Sequence, residues 1–139
     1  MRQFSNKLSL IVFYRLPVIA LSVFLFWQSC YPGIISQPLF PYDDKVMHFG
    51  IYALLALLVA RAVQKEKPLW SPGKIKIVTI LFVSVFGLSD ELHQAFVPAR
   101  FASVLDFLAD CAGAVAGCLF YTNIILKINA GGRNQCRRQ

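Results

Sequence analysis

The chain is 139 residues long, 57% hydrophobic and 15% charged, with a formal net charge of +7. A soluble domain of this size cannot hide so much apolar surface, because its surface-to-volume ratio is too high. The basic excess gathers at the ends of apolar blocks and forms no aromatic-interleaved patch, which argues against a nucleic-acid partner and for a lipid bilayer.

Residues 1–15 form a basic arm with Arg2, Lys7 and Arg15, whose apolar stretch Leu8 to Tyr14 suits an interfacial position. Leu16 to Ile35 is the first apolar block. Pro17 fits the first turn of a helix, where its missing N–H costs nothing, and Tyr31-Pro32-Gly33 should end it. A cleaved signal peptide is the competing reading. Trp27 and Gln28 stand where a lipoprotein cleavage site carries small or aliphatic residues, and argue against it. A short loop, 36–45, leads to the second block, Val46 to Val63, with Arg61 near its end and able to snorkel. A basic loop with two prolines, 64–76, precedes the third block, Ile77 to Val97, which turns polar in its last third. Pro98-Ala99-Arg100 makes a tight connection to the fourth block, Val104 to Leu126. The basic tail 127–139 is expected to be disordered. The cysteines Cys30, Cys111, Cys118 and Cys136 form no CxxC pair and read as small hydrophobes.

Each block is long enough to cross a membrane. The pattern therefore predicts an all-α membrane protein, with four transmembrane helices over residues 16–126 and both termini cytoplasmic. Charge sets the orientation: with the N-terminus inside, only Lys45 and Arg100 of the 14 Lys and Arg residues fall outside. Of the seven acids, only Glu66 falls inside.

The remaining acids share one layer. At about 1.5 Å per residue, Asp90 lies roughly 21 Å from Lys76 and Asp110 roughly 25 Å from Lys127, which puts both in the outer third of the membrane. Asp106 and His48 come close to the outer boundary by the same count. At about 100° per residue, Asp106, Asp110, Gly113 and Gly117 form one helical stripe, and Gly113 and Gly117 also make a close-packing pair. Gly87, Asp90, Glu91 and Gln94 share a face of the third helix, with His93 about 60° further round. Asp44, His48 and Tyr52 run along the second, beside Lys45. A charge facing lipid costs about 2.5–3.5 kcal/mol at mid-membrane. These groups should therefore face inward, around a polar pocket open to the outside.

Two segments carry a resemblance. DKVMHFGIY, from Asp44 to Tyr52, is followed by SDELHQAFVPARFASVLDFLADCAGAVAG. Together they resemble the VanZ-like family of small bacterial membrane proteins over roughly residues 40 to 120. The resemblance carries over Asp44, Lys45, His48, Asp90, Glu91, Gln94, Pro98, Arg100, Asp106, Gly113 and Gly117. Ala99 stands where a glycine is common, and Asp110 where asparagine is common, which adds a negative charge. The resemblance implies a bacterial inner-membrane location and a role in the cell envelope. The activity associated with the founding member is tolerance of teicoplanin, a lipid-tailed glycopeptide. It supplies no reaction.

The candidate binding residues are thus Asp44, Lys45, His48, Tyr52, Asp90, Glu91, His93, Gln94, Arg100, Asp106 and Asp110. The expected ligand is an envelope lipid, a glycan precursor or a lipid-linked antibiotic. The plainer account makes the acids structural, with His48 bonded to Asp44 and Arg100 paired with Asp106 or Glu91. Two rival functions keep the same pocket. A membrane enzyme acting on lipid-linked phosphate would use the carboxylates. An ion- or proton-coupled transporter would need a homo-oligomer, because four helices are few for alternating access. His48, His93, Glu91 and Asp110 have the donor types of a zinc or manganese site. DELHQ is not an HExxH motif, however, and the reading assigns no metal and no cofactor. No Ser/His/Asp spacing stands out.

Overall fold

The computed structural model describes residues 8–31, 40–98 and 100–125. The start of the N-terminal arm, the Pro32-Gly33 helix stop, the loop from Ser36 to Leu39, Ala99 and the basic tail lie outside the described residues. Among the described residues every regular element is helical. Helix α1 spans Leu8–Ser29, α2 Asp43–Glu66, α3 Pro72–Gln94 and α4 Val104–Phe120. A π-helical turn at Tyr121–Ile125 prolongs α4.

Three of these stretches, Leu8–Ser29, Asp43–Glu66 and Val104–Ile124, are long and apolar enough to cross a membrane. Their lipid-compatible surface is plain: Ile19, Val23 and Phe26 on α1, and Leu105, Leu108 and Leu119 on α4, are all exposed. Helix α3 has the length, at 23 residues, but its last turns carry Asp90, Glu91, His93 and Gln94. Three of those four are turned inward. Asp90, Glu91 and Gln94 are 4%, 5% and 5% exposed, while Leu81, Val85 and Leu92 on the same helix face out.

Local chemistry sets the helix ends. Ser71 caps α3 by accepting from the Lys74 N–H at 3.3 Å, and Pro72 takes the first position, where no N–H is needed. Ser103 caps α4 through the Asp106 N–H at 3.3 Å. Asp43 and Asp44 occupy the first turn of α2, where the helix dipole favours negative charge. Tyr42 enters that turn with φ at 66°, in the left-handed region that side chains seldom adopt.

Pro17 sits in the first turn of the α-helical segment Leu16–Ser29, as its sequence position implies. A π-helical turn at Ile11–Arg15 carries the helix back to Leu8. Proline cannot donate to the carbonyl four residues earlier, that of Phe13. Arg61 of α2 donates to that carbonyl instead, Nη1 to O at 3.2 Å, and lies 4.6 Å from the centre of the Tyr14 ring. Arg15 pairs with Glu66 beside it. Arg61 thus binds α1 to the C-terminal end of α2 rather than snorkelling freely.

Helices α2 and α4 form the closest pair. A Cβ at Gly117 would overlap the Ala53 carbonyl oxygen, and one at Gly113 would overlap that of Phe49. The backbones meet where side chains would stand, and this is how small residues hold apolar helices together. Leu55, Ala56, Ile75, Val83, Ala114 and Cys118 fill the interior around this seam.

Adding a methyl at position 117 forces the two backbones apart. Gly117→Ala should destabilise the chain by about 1–3 kcal/mol, read as a lower melting temperature in detergent. Gly50→Ala is the control. No atom lies within 4 Å of a Cβ built there, and the change should be neutral or slightly stabilising. Equal behaviour of the two variants would contradict this packing.

Candidate functional site

The stripe read along α4 meets α2 one rung after another. Asp106 Oδ1 accepts from Lys45 Nζ at 2.9 Å, and the same Nζ reaches Asp44 Oδ2 at 2.7 Å. One turn on, Asp110 Oδ1 and His48 Nδ1 are 2.9 Å apart. Gly113 and Gly117 follow, against Phe49 and Ala53. The glycines allow the close approach, and the approach lets short Asp side chains reach across to α2. His48 therefore pairs with Asp110 and not with Asp44, the partner expected from sequence. Asp44, one turn earlier on the same helix, is held by Lys45 and half-exposed at the helix start.

On α3, Asp90 is a second centre. Ser29 Oγ and Tyr52 Oη donate to its carboxylate, Tyr52 at 3.3 Å, and Gln94 Nε2 adds a contact at 3.3 Å. Ser29 also hydrogen-bonds the Leu25 carbonyl at 3.1 Å. Three donors from α1, α2 and α3 thus meet the cost of burying this carboxylate. Glu91, next along, performs a different task. Its Oε2 accepts from the Ser103 backbone N–H at 2.8 Å and so fixes the start of α4. Its Oε1 and the Asp110 Oδ2 are buried with no hydrogen-bond partner among the described residues.

Two expected members have other partners than the acids. Arg100 pairs with neither Asp106 nor Glu91. It donates from Nε to the Tyr31 carbonyl at 2.7 Å and from Nη2 to that of Gln28 at 3.0 Å. The reason is geometric: α1 ends beside Arg100, and a guanidinium there binds two of the carbonyls at that end at once, the Gln28 carbonyl also accepting from the Tyr31 N–H at 3.2 Å. His93 turns away from the acids. Its ring lies 4.7 Å from that of Phe26, with Nε2 3.4 Å from Cys30 Sγ. The 60° offset that separates it from Asp90 on the helical wheel is enough to carry it out of the site.

A cavity of about 580 Å³ opens between α1, α2 and α3. Phe24, Leu25, Met47 and Ile51 give it apolar walls, and His48, Tyr52, Asp90, Gln94 and Arg100 its polar lining. Lys45, Glu91, Asp106 and Asp110 do not line it; Lys45, Asp106 and Asp110 stand in the α2–α4 seam, and Glu91 on α3 holds the start of α4. Helix α1 thus contributes to the site, whereas the sequence reading builds the pocket from the other three helices. Ser29 and Gln28 are the residues it missed. Their signal was available: a polar pair at the C-terminal end of an otherwise apolar block. Asp43, also on the cavity wall, and Ser103 were legible only as helix-start residues.

This is a helical membrane protein with a buried polar layer. The chain belongs to the VanZ/LLP1 family, which it matches over residues 1–127. It is also 30% identical over 100 residues to a Schizosaccharomyces pombe protein described as "Uncharacterized protein C11E3.10", across 71% of this chain and 59% of that one. The chain therefore spans less than two thirds of that relative's length. A yeast relative shows that sequences of this type are not confined to bacteria. No solved structure matches the chain.

The partner assignment of His48 can be measured. A double-mutant cycle over His48→Gln and Asp110→Asn, read as stability in detergent, should give a coupling of about 1–3 kcal/mol. The cycle over His48→Gln and Asp44→Asn should stay below about 0.5 kcal/mol. The reverse order would restore the pairing expected from sequence.

Proposed function

We propose that this chain is a four-helix envelope protein, with both termini in the cytoplasm, whose cavity receives the polar end of an amphiphile. The observation that carries this reading is the double character of the cavity. Its apolar walls, Phe24, Leu25, Met47 and Ile51, suit an acyl or isoprenoid chain. Its polar lining, with Asp90, Tyr52, Gln94 and His48, suits a head group rich in hydroxyl or amine donors. A volume of about 580 Å³ falls within the range of small-molecule sites, roughly 300–1,000 Å³. An envelope lipid, a glycan precursor and a lipid-tailed glycopeptide such as teicoplanin all have this two-part chemistry.

The orientation rests on the charge distribution. With Lys45 and Arg100 outside and the other basic residues inside, the cavity opens to the extracytoplasmic face. On this reading α3 also crosses the bilayer. It can do so because Asp90, Glu91 and Gln94 are buried among the other helices and do not meet lipid.

Two measurements test these statements separately. A membrane-impermeant maleimide applied to intact cells should label a single-cysteine variant retaining Cys30 and spare one retaining Cys136 until the membrane is broken. The opposite pattern would invert the topology. In a glycopeptide-sensitive bacterium, the wild type should raise the teicoplanin inhibitory concentration several-fold and leave that of vancomycin, which has no lipid tail, unchanged. Met47→Trp, which puts an indole at an exposed position of the cavity wall, should abolish the protection at equal membrane abundance. Protection by Met47→Trp equal to the wild type would remove the cavity from the account, and no protection by the wild type would remove teicoplanin.

A further inference from the structure

Beside the cavity lies a second constellation, which shares only His48 with the groups that line it. His48 of α2, Glu91 of α3 and Asp110 of α4 each offer one ligand-capable atom, and these three atoms lie within 4.8 Å of one another. We propose that His48, Glu91 and Asp110 bind a divalent cation of the manganese or zinc class.

Hydrogen bonding is the first support. Glu91 spends Oε2 on the Ser103 N–H, and Asp110 spends Oδ1 on His48. The second oxygen of each carboxylate is buried and has no hydrogen-bond partner among the described residues. The residues are 5% and 0% exposed, so water does not readily serve them. A buried polar atom left in this state is costly, more so when it belongs to a charged group. A cation offsets that cost on both carboxylates at once.

Charge is the second support. The cations nearest the cluster are committed elsewhere. Lys45 Nζ lies between Asp44 and Asp106, and Arg100 caps the end of α1. His48 brings at most one positive charge against two carboxylates. A buried unpaired charge is strongly unfavourable, and a divalent ion restores the balance where no Lys or Arg among the described residues is paired with Glu91 or Asp110.

Space and donor type are the third. Donors at about 2.1 Å from a shared ion lie within roughly 4.2 Å of one another, so rotamer adjustments of a few tenths of an ångström close the site. Gly87 keeps room beside it: a Cβ there would come within 3.0 Å of Asp110 Oδ2 and 3.1 Å of the Tyr52 ring. One imidazole and two carboxylates form an N/O donor set, which suits manganese and zinc and not the thiolate-seeking ions. Three protein donors leave positions open to further ligands. His48 also lines the cavity, so the proposed ion would share one ligand residue with the space an amphiphile would enter. The inference does not depend on which ligand that is.

The test uses the full chain, purified in detergent and stripped with a chelator. Titration with Mn2+, followed by the EPR signal of the free ion, should saturate at one ion per chain. The bound ion should show nitrogen coupling from one imidazole in pulsed EPR. Zn2+ should displace it. Glu91→Gln and Asp110→Asn should each weaken binding about tenfold or more, and His48→Gln should also remove the nitrogen coupling. His93→Gln should leave binding unchanged. Absence of saturable binding by the wild type, or bound Mn2+ without nitrogen coupling, overturns the proposal even if every variant fails to fold. Wild-type affinity in folded Glu91→Gln would overturn it as well.

Discussion

A single methyl group at Gly117 would overlap the Ala53 carbonyl oxygen, and the same holds one turn earlier for Gly113 against Phe49. That proximity of α2 and α4 is the constraint from which the polar layer follows. The glycine approach fixes how the two helices slide against each other, and in that register Asp106 stands opposite Lys45 and Asp110 opposite His48. The apolar end of the seam therefore sets the register of its polar end. The glycines and the acids belong to one stripe because one approach serves both.

Along this layer the three inward-facing acids of α3 and α4 have unequal surroundings, and the inequality is informative. Asp90 receives Ser29, Tyr52 and Gln94, and its burial is well compensated. Glu91 and Asp110 each keep one oxygen without a hydrogen-bond partner among the described residues. The best-satisfied acid lines the open cavity, while the two less satisfied ones lie beside His48. A purely structural network would be expected to satisfy its deepest members first. Here Asp110, which is fully buried, keeps an oxygen unpaired, and so does Glu91, which is buried to the same degree as Asp90; the proposed cation accounts for both.

Much of this was legible in the sequence, because membrane helices impose strong rules. Block lengths give the helices, and the cost of exposing charge to lipid turns Asp90, Glu91, Gln94 and Asp110 inward. Helical periodicity alone places Asp106, Asp110, Gly113 and Gly117 on one face, and the structure shows all four against α2. Partner choice was not legible. Periodicity says which groups share a face but not which group on another helix stands opposite. His48 was therefore matched to Asp44, its neighbour along the helix, when the facing residue is Asp110. Arg100 was matched to acids because charge is visible in a sequence, whereas the carbonyls at the end of α1 that it binds are not. Ser29 was passed over for the same reason: a serine in an apolar run carries little weight until a buried carboxylate is seen beside it.

The central claim is the register of α2 on α4, and a zero-length cross-link reads it most directly. A water-soluble carbodiimide joins a lysine amine to a carboxylate already in contact with it, with no spacer to blur the distance. Treated in the folded state and mapped by peptide mass spectrometry, the chain should yield an amide between Lys45 and Asp106. Lys45 joined only to Asp44, or to no acid of α4, would contradict the register and the polar layer built on it.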